Sequence, residues 1–145
     1  MALDDQIRQL LKTTHTIGVV GLSEKSWRAS HDVASYMRSA GYTIVPINPA
    51  ITTVLDLPTY PDLLTAARAH PIDIVNVFRR AEFVPDIVEQ AIAIHAQAVW
   101  LQLGVIHHEA ARRAHDAGLV VVMDRCIKVE FQRWRDSEET NAWTR

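Results

Sequence analysis

THTIGVVGLSEKSWRAS, residues 14–30, runs from an apolar stretch through a glycine into a polar loop holding serines and cations. Thr16–Val20 is short and apolar, the pattern of a strand covered on both faces. Gly21 lets the chain leave that strand tightly and lets a ligand approach the backbone. A helical segment, Ser30–Ala40, follows with Val33, Met37 and Ala40 on one face, and Gly41 is its C-terminal stop. Strand, glycine loop and helix in succession make the first half of a βαβ unit.

The rest of the chain repeats that alternation. Further apolar runs lie at Thr43–Ile47, Asp73–Phe78, Ala98–Leu103 and Leu119–Met123, at spacings of about 20 to 30 residues. They are rich in Val and Ile and mostly lack period-2 alternation, as strands of a covered parallel sheet do. Between them, Leu63–His70 reads as a short helix ending before Pro71. Glu82–Ala96 carries a stripe of Val84, Val88, Ala91 and His95 with Ile87 and Ile92 beside it, and His107–Ala117 ends at Gly118. Leu3–Thr13 predicts an extra helix before the first strand. The expected fold is α/β: a Rossmann-like, doubly wound, five-stranded parallel sheet with helices on both faces. Residues 1–135 form the expected domain, and residues 136–145 read as a polar tail that frays.

The 145 residues suit one domain, and an apolar fraction of 48% is enough for a real core. A formal charge of -2 supplies no global basic field for nucleic acid, so any phosphate binding must be local. The single cysteine excludes an internal disulfide framework and a multi-cysteine zinc site. The first residues, MALDDQIRQLLK, are charged and amphipathic without an apolar signal core, and no run approaches the roughly 20 apolar residues that cross a bilayer. A cytoplasmic protein without membrane or nucleic-acid partners is expected. A homo-oligomer is compatible with the sequence.

Ligands of open α/β sheets bind beyond the carboxyl ends of the strands. That rule selects Gly21–Ser30, Pro46–Ala50, Phe78–Ala81, Gln102–His107 and Asp124–Cys126. In the first of these loops Ser30 is the expected N-cap of the next helix, whose open N–H groups and positive dipole end favour a phosphate. Lys25 and Arg28 add charge, and Arg28 can grip a phosphate through two parallel hydrogen bonds. The Walker pattern is absent, and Gly18-Val19-Val20-Gly21-Leu22-Ser23 does not spell G-x-G-x-x-G. An acidic residue for ribose hydroxyls is also missing after the second strand, where Pro46-Ile47-Asn48-Pro49 stands. A receiver domain needs carboxylates at its strand ends for Mg²⁺, and Gly-Leu-Ser and Val77-Phe78-Arg79 offer none.

Five fragments in order carry a resemblance: V-V-G-L-S with R-x-S behind it, Tyr42–Pro49, Asp73–Arg79, Trp100–Ile106 and Val122–Glu130. Over about residues 5 to 131 the chain resembles the small bacterial CoA-binding proteins. These are similar to the nucleotide-binding domain at the start of the succinyl-CoA synthetase α subunit. The resemblance implies CoA or acyl-CoA across the strand ends, with its phosphates near Ser23, Lys25, Ser26, Arg28 and the Ser30 helix start, and with Gly21 and Leu22 among the binding residues. It implies that Pro46 and Asn48 shape the adenosine side, Phe78 and Arg79 border the pocket, and Gln102 and Gly104 line the pantetheine path. Three positions depart from the family pattern: Ala29 stands where proline is usual, Ala50 where lysine often follows Asn-Pro, and Phe131 where histidine commonly follows Val-Glu.

Cys126, at the ligand edge of the fifth strand, has two readings. One is a thiol that forms a mixed disulfide with CoA or senses oxidation, helped by Arg125 and Lys128. The other, favoured because free cysteine is commonly buried, is a small packed residue. His107-His108-Glu109-Ala110-Ala111-Arg112 falls short of a zinc-protease motif because Arg112 replaces the second ligand, so a solvated helix face is expected there and no metal. Trp100 is expected in the core, and Trp27 either stacks on adenine or covers the surface. No nucleophile–base pair emerges from the spacing. The expected activity is therefore binding without catalysis, and the alternative is an NAD(P)-dependent redox protein on the same sheet.

Overall fold

The apolar runs pair as one parallel sheet. In the computed structural model, which describes residues 1–144, the chain forms α1 (Leu3–Thr13), β1 (Thr16–Val20), α2 (Ala29–Ser39) and β2 (Thr43–Ile47). A small antiparallel hairpin follows, β3 (Thr53–Val54) and β4 (Leu57–Pro58), then α3 (Leu63–Ala69) and β5 (Ile74–Val77). A 3-10 turn at Ala81–Phe83 leads into α4 (Val84–Ala93), β6 (Ala98–Leu101), α5 (His108–Asp116), β7 (Val120–Met123) and α6 (Ile127–Thr144). The sheet order is β2-β1-β5-β6-β7, with every neighbouring pair parallel. The expected Rossmann-like fold is the observed one.

Strand residues alternate between two cores. Ile17, Val19, Ile44, Ile74, Ala98, Trp100 and Val122 pack with Leu10 and Leu11 of α1, Val33 and Met37 of α2, and Ile127 and Phe131 of α6. Val20, Val45, Ile47, Val75, Val77, Val99 and Leu101 pack with Leu63 of α3, Val84 and Val88 of α4, and Ala110 and Ala114 of α5. Because both faces are covered, the period of two is hidden in the sequence, where both sets are simply apolar. Trp100 is fully buried and its indole N–H donates to the Arg125 carbonyl at 2.8 Å.

Several boundaries differ from expectation by local chemistry. The helix expected from Glu82 starts only at Val84, after the 3-10 turn and with Pro85 in its first turn, where a missing N–H is harmless. α3 begins on Asp62, whose Oδ1 accepts from the Thr65 N–H at 2.7 Å, and α5 on His107, whose Nδ1 accepts from the Ala110 N–H at 3.0 Å. Of the residues expected to fray, 136–145, those at 136–144 continue α6, with Trp143 90% exposed, and residue 145 lies outside the described residues. The first half of α6 is anchored. Phe131 meets Tyr36, Tyr42 and Trp134 edge-on with ring centroids 5.5 to 6.0 Å apart, and the buried Glu130 pairs with Arg125 at 2.7 Å and Arg133 at 3.1 Å. Arg125 also reaches Asp4 of α1 at 3.0 Å, which closes the α1–α6 corner and holds the Asp4 carboxyl below its ordinary pKa. Among the described residues no helix is long and apolar enough to cross a membrane.

Candidate functional site

Strand order reverses between β1 and β5, so the loops after them diverge and leave a crevice. The parallel ladder runs on past the strand ends: the Gly21 N–H donates to the Ile47 carbonyl at 2.9 Å, Phe78 to Val20 at 2.9 Å, and Gln102 to Val77 at 3.2 Å. Those bonds fix three loop starts side by side. Gly21 has φ +88°, and its missing β-carbon leaves the backbone close against Phe78.

Two adjoining cavities open there. One, of about 310 Å³, is lined by Gly21, Ser23, Lys25, Arg28, Ala29, Ser30 and Phe78. The other, of about 670 Å³, shares Ala29 and Phe78 with it and extends past Arg79, Gln102, Gly104 and Cys126 to α6. Most of the residues named from the sequence therefore converge on one continuous crevice.

The first cavity brings a helix start and cationic side chains together. α2 starts at Ala29, with Arg28 in extended conformation before it and no side chain capping the helix. The His31 and Asp32 N–H groups close onto the Arg28 carbonyl at 3.1 Å, while those of Ala29 and Ser30 have no backbone partner among the described residues. Among the described residues neither Lys25, Arg28 nor Arg79 has a carboxylate within ion-pair distance. The Lys25 ammonium lies 5.9 Å from the exposed Trp27 ring, and the Arg79 guanidinium stacks 3.9 Å over Phe83.

Ser30 corrects one expectation. It is not the N-cap; it lies inside the first turn of α2, 6% exposed, and its Oγ accepts from the Ser23 N–H at 3.0 Å. Its hydroxyl thus ties the loop back onto the helix instead of capping it. Ser23 Oγ in turn accepts from the Lys25 N–H at 3.1 Å, so the loop is held by its own serines.

Four residues named from the sequence do not line either cavity. Leu22 is fully buried in the core, Ser26 is exposed, and Pro46 is buried within β2. Asn48 is occupied structurally: its Nδ2 donates to the Leu22 carbonyl at 3.0 Å and its Oδ1 accepts from the Ala50 N–H at 2.9 Å. It shapes the Leu22 turn from behind.

The larger cavity has a buried polar floor. Gln102 is 6% exposed; its Oε1 accepts from Asn76 Nδ2 at 3.2 Å and from the Ile127 N–H at 3.3 Å. Two donors on one oxygen fix the amide orientation and turn Nε2, which has no protein partner among the described residues, toward the cavity. Gly104 has φ +86° and donates its N–H to Asp124 Oδ1 at 2.8 Å, so the loop after β6 is pinned to the loop after β7. Cys126 is half-buried immediately before α6, packed against the core on one side and lining the cavity on the other.

Sequence reasoning missed the contribution of α6. Lys128 and Val129 line the cavity, as do Asp32 and Val33 of α2 and Arg80, Leu103 and Val105 of the loops. Lys128 Nζ bonds Asp32 Oδ2 at 3.1 Å and lies 5.0 Å from the Tyr36 ring. The V-M-D-R-C-I-K-V-E fragment was the signal, but nothing in its spacing tells that a helix starting at Ile127 turns back over the strand ends. His108 and His115 face solvent.

Comparison with known proteins gives the family of the chain. Residues 15–132 match the family described as "CoA binding domain". The chain is similar to the uncharacterized protein YneT of Bacillus subtilis, 40% identical over 124 residues, 86% of this chain and 90% of that protein. It is also similar to a hypothetical protein from Pyrococcus horikoshii OT3, with a TM-score of 0.86 at 34% identity over 90% of this chain and 91% of the other. Likeness of fold alone extends to the dinucleotide-forming acetyl-coenzyme A synthetase 1 of Ca. Korarchaeum cryptofilum, with a TM-score of 0.69 at 19% identity over 80% of this chain and 27% of that one. With its cation-lined crevice at the switch point and its match over residues 15–132, this chain belongs to the CoA binding domain family.

Proposed function

We propose that this chain binds coenzyme A as a module without catalysis of its own, serving as a carrier, sensor or accessory of acyl-CoA metabolism. The observation that carries the reading is the junction at Gly21. An uncapped helix start and the cations Lys25, Arg28 and Arg79, none paired with a carboxylate among the described residues, adjoin a longer crevice lined by the Gln102 amide. The residues fit the group. Diphosphate oxygens suit the α2 start and the guanidinium of Arg28, and an amide or thioester carbonyl suits Gln102 Nε2. When bound, CoA supplies a thiol for carrying an acyl group; the protein binds it, orients it and shields it.

The absence of a base at the crevice supports the non-catalytic part. Among the described residues no histidine lines either cavity, and Asp32, the one carboxylate that does, is tied to Lys128. NAD(P) is disfavoured because Asn48, standing where a ribose-binding acid is usual, spends its side chain on the backbone. Calorimetric titration of the purified protein with CoA and with NAD tests the reading. Saturable heat with CoA is expected, and saturation by NAD with none from CoA overturns it.

A further inference from the structure

The crevice changes chemical character along its length. At the Gly21 end the cations have no carboxylate partners among the described residues. At the α6 end Lys128 is neutralised by Asp32 at 3.1 Å, and the walls are apolar: Val33 from α2, Val105 and Leu103 from the loop after β6, and Val129 from α6. Leu103 is 68% exposed and Val129 is 48% exposed, although both face the same cavity. Large apolar side chains left wet around a cleft, with polar residues at its rim, mark a surface that a ligand covers.

Resting on the CoA reading above, we infer that the site takes acyl-CoA bearing an apolar acyl chain in preference to free CoA, with the chain lying between Leu103 and Val129. Three observations fix the direction. The anion-binding end lies at the α2 start, so an extended ligand held there by its phosphates points its far end along the shared wall of Ala29 and Phe78 toward α6. Gln102 lines that path, and its Nε2 is a solvent-accessible donor without a protein partner among the described residues, available to a carbonyl before the apolar stretch begins. The cavity volume of about 670 Å³ leaves room for a chain as well as the arm that carries it.

The test is titration of the full chain with CoA, acetyl-CoA and octanoyl-CoA, the last kept below the concentration at which it forms micelles. Each methylene buried is worth roughly fourfold in affinity, so octanoyl-CoA is expected to bind on the order of tenfold or more tighter than CoA, with acetyl-CoA near CoA. In a Leu103→Ser/Val129→Ser double variant, whose sites are exposed enough to leave the fold intact by circular dichroism, the octanoyl-to-CoA ratio is expected to fall toward one. Equal affinities for CoA and octanoyl-CoA overturn the inference while the CoA reading stands. A ratio that survives the double variant also overturns it, since the chain is then held elsewhere. Failure to bind any of the three overturns the CoA reading and this inference together.

Discussion

A β-carbon placed on Gly21 would stand 2.6 Å from the carbonyl oxygen of Phe78 and 3.0 Å from the Arg79 side chain. Gly21 and Phe78 leave adjacent strands at the point where strand order reverses, and both line the crevice there. Gly21→Ala is therefore expected to lower stability by about 1–3 kcal/mol for the left-handed backbone alone, with the clash against Phe78 adding to it. Urea unfolding measures the loss. A variant as stable as the parent, still binding CoA, would show that the β1 and β5 ends separate without consequence.

Arg28 has no acidic partner among the described residues, and it stands immediately before the open end of α2. Arg28→Ala is expected to weaken CoA binding by about 1.5–3 kcal/mol, the worth of a charge-assisted hydrogen bond, with unfolding unchanged. Because the side chain is exposed, added salt should shrink the difference between parent and variant. Calorimetry at two ionic strengths reads both effects, and unaltered affinity would move the phosphates away from this loop.

Tyr42 links the sheet to α1 by donating its hydroxyl to the Leu11 carbonyl, and burial pushes its pKa up to about 12 from 10.0. Folding favours the neutral phenol, so its contribution is complete below pH 10 and is lost as pH rises from 10 toward 12. Tyr42→Phe is expected to be less stable than the parent by about 1 kcal/mol at pH 7, from the lost hydrogen bond. That gap should close, then reverse, on titration above pH 10. Denaturant midpoints of the two proteins between pH 8 and 11 decide it; parallel curves would mean that the phenol ionises with no penalty.

Glu130 is 6% exposed and accepts from both Arg125 and Arg133, and Arg125 carries the tie onward to Asp4. Glu130→Gln keeps the shape and removes the charge, and is expected to destabilise by about 1–3 kcal/mol because two guanidinium groups lose their shared negative charge and one of its two acceptor oxygens. The pairing raises the affinity of Arg125 for its proton, with the Glu130 hydrogen bond the largest cause. An Asp4→Asn change, at an exposed end of the same chain of contacts, should matter less than Glu130→Gln. Thermal unfolding of the pair ranks them, and the reverse order would place the anchor on α1.

What the sequence determined by itself was local and periodic. The bounds of α1, β1 and β2 follow from apolar runs and their stops, since hydrophobic periodicity is imposed residue by residue. The expected location of the site followed as well, because ligands of open α/β sheets bind beyond the strand ends. Only the tertiary structure decided which side chains arrive there. Ser30 turns inward to hold Ser23, Leu22 sinks into the core, and Asn48 braces the turn from behind. Lys128 and Val129, about a hundred residues later, close the far wall of the crevice that Gly21 opens. The direction of a side chain at a loop, and the fold of a late helix across an early one, depend on packing between distant segments. No spacing within either segment encodes that. The loop from Gly21 to Ser30 reads as an anion site in one dimension; in three it becomes one end of a longer cavity whose other end is apolar.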